Sequence, residues 1–505
     1  MHFASFLFGL LLFQLGYVKD ITAVVLDANT RQPIPYATIQ YGTNKGVITN
    51  DEGRFSLIDK NDEVDSITVS SLGYGSVTIQ VNDINEETIY LASSNIELKN
   101  VFLTNKNLSP QEIVEKVREN VKSNYNFDLT HKKFFFRESD VNHIRRFDLL
   151  VDKSTFPEID QNLMSRISEN IPKYNDSYKE VLGDFYGNYE KQKIQVIKAA
   201  NLHNPQSTAG LTELTDKLER ILKDNIKEDS FLKIKTGILG VKMDAKELEL
   251  GKENEQKVVK EKTEEEKEKA RQDSQKNLKN STNSKVQKLL KNMFWNEEIT
   301  LDIFQKSNKY KFQVDGYTQM GNDIVYVISF EPKRSADFKG KMYVNTLDYG
   351  VHRIDYVNMK PLKKFRLLGI STADDVYRGK MIFSRNAETG KYNPSYIERE
   401  TGESFGIDRP LTIIEKNKNV AGRSKQNELD MDIKINVGQV NKLQMVIYEN
   451  SAIGDNDYAA QKAAEPFEYK SFKVYNPEFW SGYNIIEPNA AIKAFTSVEE
   501  SSLLK

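Results

Sequence analysis

The chain has 505 residues, with 71 Lys+Arg against 73 Asp+Glu, 39% hydrophobic residues and no cysteine. That length corresponds to two to four domains at roughly 100–200 residues each, and a net charge of −2 supplies no global field for nucleic acid or an acidic membrane. The missing cysteine excludes disulfides, thiolate metal sites, a cysteine nucleophile and a lipid-modified N-terminal cysteine, while 29% charged residues and a mean hydropathy of −0.58 imply long solvated stretches.

Phe3 to Leu15 is a run without charge, followed by the more polar Gly16 to Asp20. It is shorter than the roughly 20 residues a bilayer span requires and has the form of a signal-peptide core. Residues 1–18 are therefore expected to be a signal peptide and the protein to be exported, to the periplasm or the outer-membrane periphery. No later stretch approaches about 18 consecutive apolar residues, so no membrane helix is expected in the mature chain.

From Ile21 to Leu103 the pattern is β. Ile21–Leu26, Tyr36–Tyr41, Val47–Thr49, Arg54–Ile58, Ser66–Ser70, Ser76–Val81 and Glu87–Leu91 read as short strands separated by turn residues. Asn50-Asp-Glu-Gly53 is a hairpin-like turn with glycine where positive φ is wanted. Seven short strands in this space predict a small Greek-key β-sandwich over 19–103.

Three blocks in this region carry a resemblance: Pro33 to Ile39, Gly46 to Phe55, and Leu72-Gly-Tyr74. Together the region resembles the carboxypeptidase-like regulatory domain, in the form common among Bacteroidetes envelope proteins. Tyr36 stands where that family has a small residue and Asn50 where it has Asp. The resemblance implies a non-catalytic, transthyretin-like fold.

Residues 104–245 are expected to join this unit to a second β domain through helices and strands. Ser109 is a cap with Pro110 at the first helical position, and Ile113, Val114, Val117 and Val121 mark one buried face. Lys132–Arg137 and Arg146–Val151 read as paired strands, Tyr189–Ala200 as another, and Leu211 to Leu222 as an amphipathic helix. Residues 246–292 form a charged linker or helix, most extreme over 251–280.

Residues 293–505 return to β, with alternation in Tyr310–Val314, Ile324–Phe330, Gly340–Asn345, Val351–Tyr356, Gly379–Phe383, Tyr396–Glu400 and Leu443–Tyr448. The predicted fold is thus mainly β with helical insertions: the seven-stranded sandwich, then a large antiparallel meander or half-barrel. Asp337 to Tyr356 is similar to the hairpin repeats of lipoprotein-carrier-like half-barrels. An aromatic tail closes the chain, and Phe479, Trp480 and Tyr483 are the candidate ligand or partner surface.

Catalytic sets are missing from the pattern. None of His2, His131, His143, His203 and His352 has a glutamate three residues on, so the H-x-x-E zinc pair of a metallocarboxypeptidase is absent. His131 and His143 flank the proposed hairpin and are read as strand-end histidines. Gly402-Glu-Ser-Phe-Gly406 spells a nucleophile elbow, but no helix pattern and no histidine follow Ser404, which leaves an ordinary strand-end turn. The acids Asp51, Glu52, Asp59, Asp62, Glu63 and Asp65 lack calcium-loop spacing. Lys360 to Arg366 is a short basic patch with one aromatic, read as a solvated loop.

The expectation is a non-enzymatic envelope accessory or binding protein that docks through its sandwich, without cofactor or metal. The alternative is a periplasmic carrier of lipid or another apolar ligand. Its partner would be an envelope protein or an apolar molecule, and no nucleic acid.

Overall fold

The computed structural model describes residues 19–59, 63–84, 88–94, 108–204, 206–237, 239–244, 281–333, 335–422, 424–462 and 467–495. The expected signal segment 1–18 and the charged stretch 251–280 lie outside them.

The N-terminal unit has the seven strands β1 (Lys19–Asp27), β2 (Thr38–Gly42), β3 (Lys45–Ile48), β4 (Arg54–Asp59), β5 (Ser66–Ser70), β6 (Val77–Gln80) and β7 (Thr88–Leu91). They form two layers, β4-β1-β7 and β3-β2-β5-β6. β1 and β7 run parallel, which brings the ends of the unit together and distinguishes it from a simple meander. Alternate residues point between the layers: Ile21, Ala23 and Val25 from one, Ile39, Ile67 and Val69 from the other. This is the seven-stranded sandwich that the alternation predicts.

Ser109 then caps α1 (Pro110–Glu119): its hydroxyl accepts from Glu112 N–H at 3.3 Å, while the Glu112 carboxylate accepts from Ser109 N–H at 2.7 Å. That reciprocal box satisfies two otherwise orphaned donors. A single turn, α2 (Val121–Asn124), continues it.

Next come β8 (Thr130–Ser154), α3 (Gln161–Asn170), β9 (Tyr174–Gly187), β10 (Gln192–His203), α4 (Gln206–Asn225), β11 (Phe231–Thr236) and β12 (Leu239–Asp244). A helix over 281–291, α5, precedes β13 (Tyr310–Met320), β14 (Asp323–Pro332), β15 (Phe338–Asn345), β16 (Val351–Asn358), β17 (Lys364–Leu367) and β18 (Ile370–Arg385). The chain ends with β19 (Tyr392–Lys416), β20 (Lys425–Ala452), α6 (Asp455–Ala460), β21 (Lys470–Phe472) and α7 (Ala490–Lys493).

Strands β13-β14-β15-β16-β18-β19-β20-β8-β9-β10 form one antiparallel series. β17 lies beside the first part of β18, and the β11–β12 hairpin lies beside the end of β19. β21 adds a parallel edge to β10. Among the described residues no pairing joins β13 back to β10 or β21, so the sheet is open, a curved meander rather than a closed barrel.

Two local expectations are corrected. Lys132–Arg137 and Arg146–Val151 are one strand, not a pair, and each pairs with β20. The polar stretch between them, with its bulge at Arg145, breaks the alternation that would have shown their continuity. Likewise Gly402 to Gly406 is the middle of β19, not a turn at its end: Ser404 lies between Ala373 and Gly438. Pro410 follows in the same strand. It is tolerated because β18 stops pairing at Ile407 and β11 starts at Thr412, so its missing N–H falls at a gap in the ladder.

Four apolar clusters result among the described residues, the smallest gathering Tyr178, Leu202, Ile492 and Phe495. The largest packs α1, α5 and residues 293–304 on one face of the sheet, with Phe134, Phe136, Ile328 and Met445 at its base. The second joins the sandwich to the opposite face through Phe135, Leu182, Val446 and Trp480. The third lies toward the far end of β8, β19 and β20, where α3, α4 and β11 cover Leu429 and Met431.

Candidate binding seam between the sandwich and the long sheet

Two residues at which the sequence of the sandwich departs from the regulatory-domain pattern contact the rest of the chain, Tyr36 on the sheet and Asn50 on the C-terminal tail. Tyr36 has φ of +60°, in the left-handed region that glycine tolerates best. Its ring centre lies 5.2 Å from that of Tyr396 in β19, the two rings tilted by 38°, and 3.7 Å from the Lys380 ammonium. Burial, with Glu398 and Asp51 nearby, raises its hydroxyl above the ordinary tyrosine range. Asn50 holds its own hairpin by accepting from the N–H groups of Glu52 and Arg54, both at 2.9 Å. Its amide donates to Glu487 O at 3.2 Å, a bond that aspartate has no hydrogen to make.

Around Tyr36 the sheet carries a charge lattice. Glu398 accepts from Tyr396 Oη at 2.7 Å and pairs with Lys442 at 3.1 Å; Asp355 pairs with Arg353 at 2.7 Å and with Lys380 at 3.6 Å. Burial alone would raise the Glu398 carboxyl, but Lys442, Lys380 and the Tyr396 hydroxyl hold it below the usual value. Burial also lowers Lys380, against the pull of Asp355.

The aromatic tail fills the rest of the seam. Trp480 is buried edge-on against Phe135 at 5.3 Å, and its indole N–H donates to Glu180 at 2.9 Å. Glu180 also receives Arg137 Nε at 2.7 Å, and the Arg137 guanidinium donates to Ile486 O at 2.7 Å. Phe479 and Tyr483 are partly buried on either side of Lys198, whose ammonium lies 4.3 Å and 5.0 Å from their ring centres. On the sandwich side, Ile58 N–H donates to Asn484 Oδ1 and Ala490 N–H to Glu52 Oε1, both at 2.8 Å. Trp480 and Tyr483 thus line a cleft against β1 and β4.

A second cleft opens where β3 leaves β20. The two strands pair at Lys45 and Glu449 only, then diverge. Thr49 N–H donates to Ala37 O and Tyr36 N–H to Thr49 O. By strand alternation Val47 also faces β2, so Gly46 and Ile48 offer their backbone groups to the cleft. Gln40, Thr43, Arg385, Tyr448 and Asn450 contribute side chains to the lining. The buried Tyr448 Oη and Asn450 Oδ1 have no hydrogen-bond partner, a state that buried polar atoms rarely keep. Sequence reasoning missed this site because strand-edge backbone leaves no residue-type signature.

The other sequence candidates fall elsewhere. His131 binds Asp184 at 2.8 Å and stacks on Tyr186, whereas His143 accepts from Arg145. Twelve residues apart on one strand, the two histidines are separated by roughly 40 Å and do not face each other. His352 contacts Asp323 at 3.2 Å and the Tyr392 ring. Asp59 caps the start of its own loop by accepting from Glu63 and Val64 N–H, and Asp62 lies outside the described residues. Among the described residues no three His, Asp or Glu side chains converge as metal ligands, and no helix is long and apolar enough to cross a membrane.

No curated protein matches the chain. Residues 21–103, which take in nearly all of the seven sandwich strands, match the family described as the CarboxypepD_reg-like domain, a regulatory and non-catalytic one.

Proposed function

We propose that this protein is a non-enzymatic accessory protein of the cell envelope that binds an extended chain segment in the seam between its regulatory-type sandwich and its long sheet. The observation that carries the reading is the divergence of β3 from β20. It leaves strand-edge groups at Gly46 and Ile48 facing a cleft that Tyr448 and Asn450 also line. An incoming strand satisfies such groups by adding to the sheet, a common mode of peptide recognition. The charge-free run Phe3 to Leu15 supports export, and the non-catalytic family of the sandwich supports a binding role.

The carrier reading needs an open apolar lumen. One face of the sheet is filled by the protein's own Val117, Leu289, Leu290, Met293 and Phe294, which favours the accessory reading.

Because the chain has no cysteine, a single one reports cleanly. Photo-crosslinking in envelope extract from Thr43→Cys, at the mouth of the cleft, is expected to give a reproducible adduct. The same reagent on exposed Glu228→Cys is expected not to give it. Identical adducts from both positions, or none from Thr43→Cys, would remove the proposal.

A further inference from the structure

Cross-strand partners share a face of a sheet, and the pairings near the middle of the long sheet collect apolar residues on one side. Phe365 pairs with Thr372 and Thr372 with Phe405; Leu367 pairs with Ile370 and Ile370 with Ile407. Beyond β19, Ile413 pairs with Ile234 and Ile234 with Val241, with Leu239 two residues away on the same face. Residues 405, 407 and 413 alternate onto one side of β19, so the two hairpins β17–β18 and β11–β12 continue a single apolar face. Toward the distal end this face is packed under Leu163, Met164 and Ile221. Toward the hairpin tips it is open: Phe365, Leu367, Leu239 and Val241 are 52%, 56%, 50% and 68% exposed, and Leu368 in the β17–β18 turn is 48% exposed.

The two tips lie together. A Cβ at Gly237 would stand 3.1 Å from the Arg409 guanidinium, and one at Gly369 would stand 2.7 Å from Arg409 Cγ. Both turns therefore flank one buried arginine, which also donates to Thr236 O at 2.5 Å.

Around these tips the sequence is cationic. Residues 360–373 hold Lys360, Lys363, Lys364 and Arg366, residues 231–243 hold Lys233, Lys235 and Lys242, and neither segment contains an acid. Lys360 pairs with Asp337 at 3.2 Å, whereas Lys363, Lys364 and Arg366 have no ion-pair partner among the described residues. Asp374 lies across the ladder from Lys363, while Lys364 and Arg366 stand on the other face of β17 from Phe365 and Leu367, a face on which Asp408 pairs in register with Lys434.

We propose that the paired hairpin tips dock on an anionic lipid bilayer. Exposed leucine, valine and phenylalanine side chains enter the acyl boundary. The long stems of Lys363, Lys364 and Arg366 carry their charges back to the phosphates of the headgroups. The hairpins are thus amphipathic, apolar on one face and cationic on the other through Lys364, Arg366, Lys233, Lys235 and Lys242, the arrangement with which an element lying in the headgroup plane meets anionic lipid.

The test is flotation of the full chain with phosphatidylcholine vesicles, with and without phosphatidylglycerol. Binding is expected with phosphatidylglycerol and weakly without it, falling as salt rises. Lys363→Glu/Lys364→Glu/Arg366→Glu is expected to weaken it roughly a hundredfold or more, at about 1 kcal/mol per lost cation. Phe365→Ser/Leu367→Ser/Leu368→Ser is expected to abolish it, and Leu239→Ser/Val241→Ser on the other tip repeats the test should the triple variant fold poorly. Every variant retains the apolar run Phe3 to Leu15, so equal flotation of wild type and variants would overturn the proposal. So would a wild type that ignores vesicles but forms a dimer by light scattering that the serine variants dissolve, because the face would then serve a second copy of the chain.

Discussion

Lys132 lies on the face of β8 that carries Phe134 and Phe136, and it is only 6% exposed. Its ammonium has the Thr130 hydroxyl as hydrogen-bond partner and the Phe185 ring 5.1 Å away. Among the described residues it has no carboxylate within ion-pair range, and burial lowers it from 10.5 to about 7. Between those two values the unfolded chain holds a proton that the folded chain has released. Native stability therefore rises with pH from about 7 toward 10.5, and the full penalty of the buried charge is present below 7. Each unit is worth about 1.4 kcal/mol. Lys132→Met is expected to be more stable than wild type at pH 6, with the gap in urea midpoint narrowing steadily by pH 9.5. Parallel midpoints across that range would show that the amine is hydrated in the folded protein. The same scale shows what residue types reveal and hide. Tyr36 and Asn50 stood out as departures from a family pattern, and both prove to be contacts of the sandwich with the rest of the chain. Lys132 did not stand out, because its neighbours alternate as an ordinary strand and only β9 and β20 on either side bury it.

At the scale of elements, the helix at Ser109 was legible down to its cap because capping chemistry is local. The strands were legible less evenly. β19 and β20 cross a middle region where Gly402, Ser404, Gly406, Asn436 and Gly438 hold one face, so the pattern reads as turns although Phe405, Ile407, Ile435 and Val437 alternate on the other. The tail was singled out for Trp480, and its role depends on Arg137 and Glu180, which lie some 300 positions away in sequence. The buried pair is satisfied only with the tail in place, since Trp480 Nε1 and Ile486 O complete its hydrogen bonds. Trp480→Phe keeps most of the packing on Phe135 but removes one bond to a buried carboxylate, so a loss of about 1–3 kcal/mol is expected. Glu180→Gln strips the charge facing Arg137 and is expected to cost about 3–5 kcal/mol. Urea denaturation ranks the two, and limited proteolysis within 475–489 is expected to speed up in both. If Glu180→Gln proves milder than Trp480→Phe, the buried pair does not hold the tail.

Across the whole molecule, apolar packing is concentrated near the sandwich and again at the distal end, while the strands between are wet on much of both faces. β8, β19 and β20 run through all of it, so backbone continuity links the regions while side-chain packing separates them. Local opening free energies follow buried apolar contact more than backbone pairing, and the distal cluster has the smaller set: Leu163, Met164 and Ile167 of α3, Ile221 and Leu222 of α4, with Leu232, Leu429 and Met431 at its base. The distal end is thus expected to open below the global unfolding free energy while the seam stays closed. Leu163→Ala removes a buried side chain worth about 2–5 kcal/mol. Hydrogen exchange is expected to quicken across α3, residues 221–232 and residues 429–433, with little change at Phe134–Phe136 or Met445–Ile447. Should protection fall equally in both regions, the long strands transmit stability from end to end, and the sheet behaves as one cooperative unit. The distinction bears on both proposals, because the hairpin tips sit between the two packed regions. With a separately opening distal end, docking of those tips is expected to raise protection there and leave the seam at Tyr448 unaffected.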